Sequence, residues 1–157
     1  MKEIKLTQGK VALVDDEDYE YLSQFQWQIK KTNGLFYAKR GVWVTERNNN
    51  IHIYMHREII DAPIKMDVDH IDGNGLNNQK SNLRICVHAQ NMANMKKRKG
   101  KQYKGITPRR EGWLAQIKVN YAHIYLGDYK TKEDAARAYD RAAIKYFGEF
   151  ANLNFKI

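Results

Sequence analysis

Cysteine is nearly absent: Cys86 is the single one among 157 residues, so no internal disulfide can form and a reducing compartment is expected. Proline is almost as scarce, at two residues. No apolar run approaches the roughly 20 residues that a membrane-spanning helix needs. The opening Met1-Lys2-Glu3-Ile4-Lys5 lacks the apolar core of a secretion signal. Together these absences exclude a disulfide scaffold and a helical membrane protein, and they lead us to expect a cytoplasmic protein with no membrane partner.

Acidic residues are scarce at one end only. Residues 96–157 hold 15 Lys and Arg against 6 Asp and Glu, while the chain before them is close to balanced, so the net charge of +9 resides in the last part. A basic block of this kind points to a polyanion partner. The length suits one ordinary domain or two small ones.

The stretch that organises the chain runs from Val68 to Asn91. Asp69-His70 sits on a short apolar strand that ends in Asp72-Gly73-Asn74-Gly75, a turn dense in residues that accept positive φ and close loops through their own side chains. A second strand is expected over 82–86 and a helix from Val87 to about Lys96. Cutting a phosphodiester requires a water, a group to take its proton and positive charge against the developing oxyanions. A neutral imidazole is the best general base near pH 7. Carboxylate and amide oxygens suit a hard divalent cation. A calcium loop fails on register, and zinc would call for paired Cys or His ligands on both sides of a hairpin. His52 and His56 have such a spacing, but Tyr54 between them completes an ordinary strand alternation.

With Asp69-His70 in front, Asn82 in the middle and Asn91 on the helix, the stretch resembles the HNH (ββα-metal) nuclease family, in its phage and intron-encoded homing branch. The resemblance implies that Asp69 and Asn91 hold one Mg²⁺ or Mn²⁺ ion per active site, that His70 activates water, and that Asn82 pins the loop presenting the histidine. These four are the expected catalytic residues.

Around this motif the chain reads as an α+β protein. Residues 4–7 and 10–14 look like two strands, and Asp15-Asp16-Glu17-Asp18 looks like a cap on a short helical turn. Trp27 to Lys30 and Leu35 to Arg40 flank Asn33-Gly34, a strong hairpin cue, with aromatics for its core. Lys30, Lys31, Lys39 and Arg40 are candidate phosphate contacts. Asn48 to Asn50 reads as a loop tip. Ile51, Ile53 and Met55 alternate with His52, Tyr54 and His56, and a short helix follows that stops before Pro63. Residues 96–102 form a basic linker whose Lys96, Lys97, Arg98, Lys99 and Lys101 are expected along phosphates.

From Tyr103 three antiparallel strands are expected, then a helix that opens at the capping-box match Thr131-Lys132-Glu133-Asp134 and closes at Gly148. Its apolar stripe of Ala135, Ala138, Tyr139, Ala142 and Tyr146 is alanine-rich, so helix and sheet can approach closely. Tyr103-Lys104-Gly105-Ile106, Trp113 to Lys118, Tyr125-Leu126-Gly127, Ala135 to Ala143 and Leu153-Asn154-Phe155 resemble the plant ethylene-response-factor (Apetala-type) DNA-binding domain. That resemblance implies a sheet laid into the DNA major groove, with Lys104, Thr107, Arg109, Gln116, Lys118, His123 and Tyr125 as readers, and Arg110 is added as a basic neighbour. Thr107 stands where that family has arginine, so the recognised sequence need not be the plant one.

The expected architecture is a β-rich region leading into a ββα-metal module (nuclease domain 1–95, motif about 66–96), the linker 96–102, and a three-stranded sheet on one helix over 103–157. The expected function is metal-dependent cleavage of double-stranded DNA at a site chosen largely by the last module, in a bacterial host cytoplasm if the gene is carried by a phage. A homodimer on DNA is left open. The alternative is a DNA-binding regulator that keeps an inactive nuclease scaffold.

Overall fold

A computed structural model describes residues 1–95, 97 and 100–155, with the side chain of Arg47 left out. It divides into two compact units, Met1–Cys86 and Val87–Ile157, each taken here by itself.

The first unit begins with strands β1 (Lys2–Lys5) and β2 (Val11–Val14), paired antiparallel. Helix α1 (Asp16–Leu22) follows, with three acids in its first turn where the helix dipole favours them. Asp15 takes the N-cap position, yet its side chain makes no cap hydrogen bond. The expected cap is corrected to a different task, described below. Strands β3 (Gln28–Thr32), β4 (Leu35–Val44) and β5 (Asn49–Tyr54) form an antiparallel sheet in the order β3-β4-β5. Asn33-Gly34 closes its first hairpin as expected, and β4 runs on past Arg40 because β5 pairs with its second half.

The loop tip is Thr45 to Asn48, with Asn48 in the left-handed region, while Asn49 and Asn50 already belong to β5. Helix α2 (Met55–Ile59) ends well before Pro63. The core gathers Ile4, Leu6, Ala12, Val14, Leu22, Trp27, Ala38 and Met55. Of the hairpin aromatics, Trp27 is buried, its Nε1–H donating to the Leu22 carbonyl at 2.8 Å. Phe36 and Tyr37 are half-buried, and Phe36 carries the Lys10 and Lys31 ammonium groups over its ring. Arg40 is committed inside the unit. It makes two hydrogen bonds to the Glu58 carboxylate and stacks 4.0 Å from the Phe25 ring centre, which removes it from the phosphate candidates. The last hairpin of the unit pairs β6 (Asp67–His70) with β7 (Leu83–Cys86).

The second unit opens with α3 (His88–Asn94), two residues shorter at its C-terminal end than expected. Strands β8 (Ile106–Arg109), β9 (Gly112–Val119) and β10 (Ala122–Tyr129) then build an antiparallel sheet in the order β10-β9-β8. Helix α4 (Lys132–Phe147) packs on it, capped by Thr131, whose Oγ1 accepts from the Asp134 N–H at 3.1 Å. Ala115 and Ile117 of β9 meet Ala135, Ala138, Tyr139, Ala142 and Ala143 of α4. Alanine on the helix brings the two layers close, and Gly105 completes the fit because a Cβ there would enter the Tyr139 ring.

Asp140 carries a buried charge in this unit, 8% exposed. Its carboxylate accepts from the backbone N–H groups of Asn154 and Phe155 and from Asn154 Nδ2, at 2.9, 3.0 and 3.0 Å, which ties the C-terminal segment to the helix.

Candidate active site

Strands β6 and β7 have four residues each, too few to fix anything alone. The connection between them is therefore held by side chains. Asp72 Oδ1 accepts from the Asn74 N–H at 2.7 Å, Asn74 Oδ1 from the Leu76 N–H at 3.2 Å, and Gly73 takes φ 67°. Asn82 closes the loop from its far end: Oδ1 accepts from the Asp72 N–H at 3.0 Å, and Nδ2 donates to Asp72 Oδ1 and to the Asn77 carbonyl at 3.1 and 2.8 Å. Partial burial pushes the Asp72 carboxyl up, but hydrogen bonds from Asn77, the Asn74 backbone and Asn82 outweigh it, so the group lies below the usual carboxylate range.

The N-terminal region clamps this loop from outside. Leu13 exchanges backbone hydrogen bonds with Leu76 and Asn78, each at 2.8 Å. The Asp15 carboxylate accepts from the Lys80 N–H at 2.7 Å and from Gln79 Nε2 at 3.1 Å, which is why it does not cap α1. On the other side a Cβ at Gly75 would collide with the Phe36 carbonyl and the Tyr37 ring, so the loop lies directly on β4.

His70 ends β6 and is 5% exposed. Its Nε2 stands 3.1 Å from Asn78 Oδ1. The Asn78 amide is oriented by its own donors, since Nδ2 points at Met55 Sδ and the Leu76 carbonyl, both at 3.5 Å. An amide oxygen accepts only, so Nε2 carries the proton and Nδ1 is the basic nitrogen of the ring. Burial depresses the His70 pKa, against the opposing pull of Asn78, Asp72 and Asp69, and the ring is neutral at pH 7.

His56, on α2, packs edge-on to His70 with ring centres 5.1 Å apart, and Tyr37 leans on both. Burial, then the nearby His70 and Arg57, push His56 down to about 3. Its Nδ1 is buried with no hydrogen-bond partner among the described residues. His56 is a wall of the histidine pocket.

Asp69 is likewise 5% exposed. Arg84 lies directly opposite it in the β6–β7 register, and the guanidinium bonds Asp69 Oδ2 through Nε at 2.9 Å and a terminal nitrogen at 2.7 Å. Residues 69, 70, 72, 78, 82 and 84 thus form one constellation on the β6–β7 hairpin.

A family model described as HNH endonuclease matches residues 61–93, a span that holds Asp69, His70, Asn82 and Asn91. An HNH endonuclease of Acanthamoeba polyphaga mimivirus, itself uncharacterized, is 31% identical over 149 residues, covering 93% of this chain and 75% of the viral protein. The chain belongs to the HNH endonuclease family.

The endonuclease has a second kinship. An AP2/ERF and B3 domain-containing protein of Oryza sativa subsp. japonica is 47% identical over 55 residues, and an AP2-like ethylene-responsive transcription factor of Arabidopsis thaliana is 48% identical over 61 residues. These matches cover 34% and 38% of the endonuclease, but 15% and 13% of the plant proteins.

Asn91 lies on α3, in the second unit of the endonuclease. Gln90 fixes the start of that helix by accepting from the Val87 N–H at 2.9 Å. Its C-terminal end is held by Lys104, whose Nζ donates to the Ala93 and Met95 carbonyls at 2.8 Å each, and by Asn152, which donates to the Asn94 carbonyl at 2.8 Å. Burial pulls Lys104 down to about 8, against the pull of Asp140. The structure turns this expected DNA contact inward, onto the end of a helix whose carbonyls would otherwise lack partners.

The remaining expected readers on β9 and β10 share a face. Gln116 pairs with Tyr125 and Lys118 with His123 across β9 and β10, and directly paired residues point to the same side. Ala115 and Ile117, between them in sequence, point to α4. Arg109, Arg110, Lys118 and His123 are exposed, and Tyr125 donates its hydroxyl to Asp128 at 2.7 Å. In the linker Lys97 donates to the Gln102 carbonyl, Lys101 is exposed, and Lys96, Arg98 and Lys99 lie outside the described residues.

Sequence reasoning missed Asn78, Arg84 and Asp15 as supports of the site, whereas it expected His56 to pack against this hairpin in a structural part. For Arg84 a signal existed: once the strands are paired through their turn, the basic residue falls opposite Asp69. For Asn78 none did, because one asparagine in an Asn-rich turn looks like another.

Proposed function

We propose that this HNH endonuclease is a divalent-metal-dependent enzyme that hydrolyses phosphodiester bonds of double-stranded DNA, with His70 as general base. The observation that carries the reading is the His70–Asn78 contact at 3.1 Å, which fixes the ring tautomer and leaves Nδ1 as the nitrogen that takes the proton of the attacking water. Asn78 keeps that orientation through the reaction and stabilises the imidazolium that forms. Asn82 and Asp72 hold the loop whose closure keeps His70 on the end of β6. Tyr37 and His56 exclude bulk water from one side of the ring.

The donor chemistry fits a hard cation, since a carboxylate at Asp69 and an amide oxygen at Asn91 are the ligands that Mg²⁺ or Mn²⁺ prefers. When bound, such an ion supplies positive charge against the scissile phosphate and the leaving oxygen. Arg84 orients the Asp69 carboxylate and shares its charge. The sheet face bearing Gln116, Lys118, His123 and Tyr125, with Arg109 and Arg110 beside it, selects the site, and the 96–102 linker between the nuclease module and the 103–157 reader adds salt-sensitive affinity. With one catalytic centre per chain, a single copy cuts one strand at a time, and a homodimer on DNA would be needed to cut both together.

Relaxation of supercoiled plasmid tests this. Wild-type protein with Mg²⁺ should nick, while EDTA, Asp69→Ala or His70→Ala should reduce the rate by at least 10²-fold, within the range that general acid–base catalysis supplies. A His70→Ala protein as active as wild type at neutral pH would remove the general-base assignment. Binding without any cleavage by the wild type would leave a DNA-binding regulator.

A further inference from the structure

Two hairpins of this molecule close with the same turn and fill it differently. Thr32 pairs with Leu35, and Val119 pairs with Ala122, so each encloses two residues. Both residues have positive φ in each case: Asn33 at 51° and Gly34 at 82°, Asn120 at 46° and Tyr121 at 66°. Positive φ at both positions is the type I′ arrangement, for which Asn followed by Gly is the favoured pair. The first hairpin uses that pair. The second puts tyrosine where glycine belongs, in a conformation that crowds its Cβ against the backbone.

Folding does not repay that strain. Tyr121 is 84% exposed, the extreme among the aromatic side chains left out of the core. A strained, exposed aromatic at the tip of a hairpin points to a ligand. The surroundings say which. Tyr121 lines a cavity of about 250 Å³ whose other walls include Met92, Tyr139 and Phe147, with Asn120 and Lys118 also on the lining. The Lys118 ammonium stands 5.7 Å from the Tyr121 ring centre. No carboxylate is among the lining residues, so a cation would find no counter-charge. The volume falls a little below the roughly 300 Å³ at which small-molecule pockets begin, room for about one planar ring system. Flat apolar walls, an aromatic face, an amide and a neighbouring ammonium group together match a nucleobase that carries its phosphate.

We propose that the tip of the β9–β10 hairpin is a nucleobase site: a base that has left the stack of bound DNA lies against Tyr121, with its phosphate beside Lys118. The inference rests on the reading of the protein as a DNA endonuclease and extends it. The sheet face reads paired bases, while this site takes one that is unpaired.

The test uses the full chain and short DNA duplexes that carry 2-aminopurine, whose fluorescence rises when it unstacks, either paired or as a single unpaired nucleotide. Wild type should bind the unpaired duplex more tightly than the paired one and change its fluorescence, as the base exchanges the DNA stack for the Tyr121 ring. Tyr121→Gly should melt no lower than wild type, since it restores the favoured turn, yet bind the unpaired duplex roughly tenfold more weakly, as loss of one base–aromatic stack implies. Tyr121→Phe and Tyr121→Trp should keep the preference, and Tyr121→Leu should lose it. Equal binding by wild type and Tyr121→Gly, or full retention by Tyr121→Leu, would overturn the site. Wild-type protein that binds and nicks DNA without any fluorescence change would sink this inference alone. Failure to bind either duplex would sink the nuclease reading with it.

Discussion

The β6–β7 loop and the α4–sheet pair hold their shape by opposite means. The loop around His70 is irregular, and amide and carboxylate side chains keep it closed: Asp72, Asn74, Asn77, Asn78 and Asn82 bond one another or the backbone, and Asp15 reaches in from far along the sequence. The second unit relies on close apolar layers, with seven buried residues on α4, five of them alanine. Directional bonds place a reacting group accurately but fail one at a time. Packed layers fail together, and they tolerate change at exposed positions. The difference suits the proposed parts: a site that aims one imidazole and a module that presents a stiff surface.

The largest test of that contrast falls on a buried carboxylate by which the second unit, too, depends on polar bonds. Asp140→Ala strips acceptors from two backbone N–H groups and from Asn154, and should destabilise this unit by about 3–5 kcal/mol. Chemical denaturation should then show the second unit melting first, and a single unchanged transition would contradict the assignment. Asn82→Ala opens the loop from its far end and should cost about 2–3 kcal/mol, together with most of the nicking rate. Asn82→Asp should recover little at neutral pH, because Oδ1 still accepts from the Asp72 N–H but the lost Nδ2 donor leaves a second carboxylate against Asp72 Oδ1.

The histidine pocket supplies a pH test of about 2 kcal/mol. His56 stays neutral in the folded protein down to about 3, whereas the unfolded chain takes up its proton below 6.5. The His56 contribution to stability is therefore level above pH 6.5 and falls as the pH drops, by about 1.4 kcal/mol per unit, levelling off near the folded value. Urea midpoints at pH 7 and pH 5 should differ accordingly. The His56→Phe protein should show a smaller difference, and an identical one would place the acid sensitivity elsewhere. The smallest effect is expected at Lys104. Lys104→Met removes both caps on α3 and should speed amide exchange at the end of that helix, at a cost of about 1 kcal/mol. If Lys104 were instead a phosphate contact, the substitution would flatten the salt dependence of DNA binding and leave exchange unchanged.

Local chemistry was legible in the sequence wherever a feature depends on neighbours along the chain. Asn33-Gly34 announced its hairpin, Thr131 and Asp134 their cap, Asp72 to Gly75 their turn, and the alanine spacing on α4 the face that packs. The Asp69-His70-Asn82 constellation could be read because its spacing matches a recurring pattern. Partners distant in sequence escaped. Asp140 falls within the helix expected from the sequence, but its partners, the backbone N–H groups of Asn154 and Phe155, were not foreseen. Lys104 reads as a phosphate contact until α3 presents its carbonyls. Asp15 reads as a cap because nothing nearby hints that Lys80 will arrive beside it.

The reach of Leu13 and Asp15 across to the β6–β7 loop has an engineering corollary. A graft that transplants only the stretch between residues 61 and 93 into another protein leaves behind the rails on which the loop is seated. The portable unit has to include the opening hairpin, so chimaeras joined upstream of β1 should outperform those trimmed to the recognisable motif.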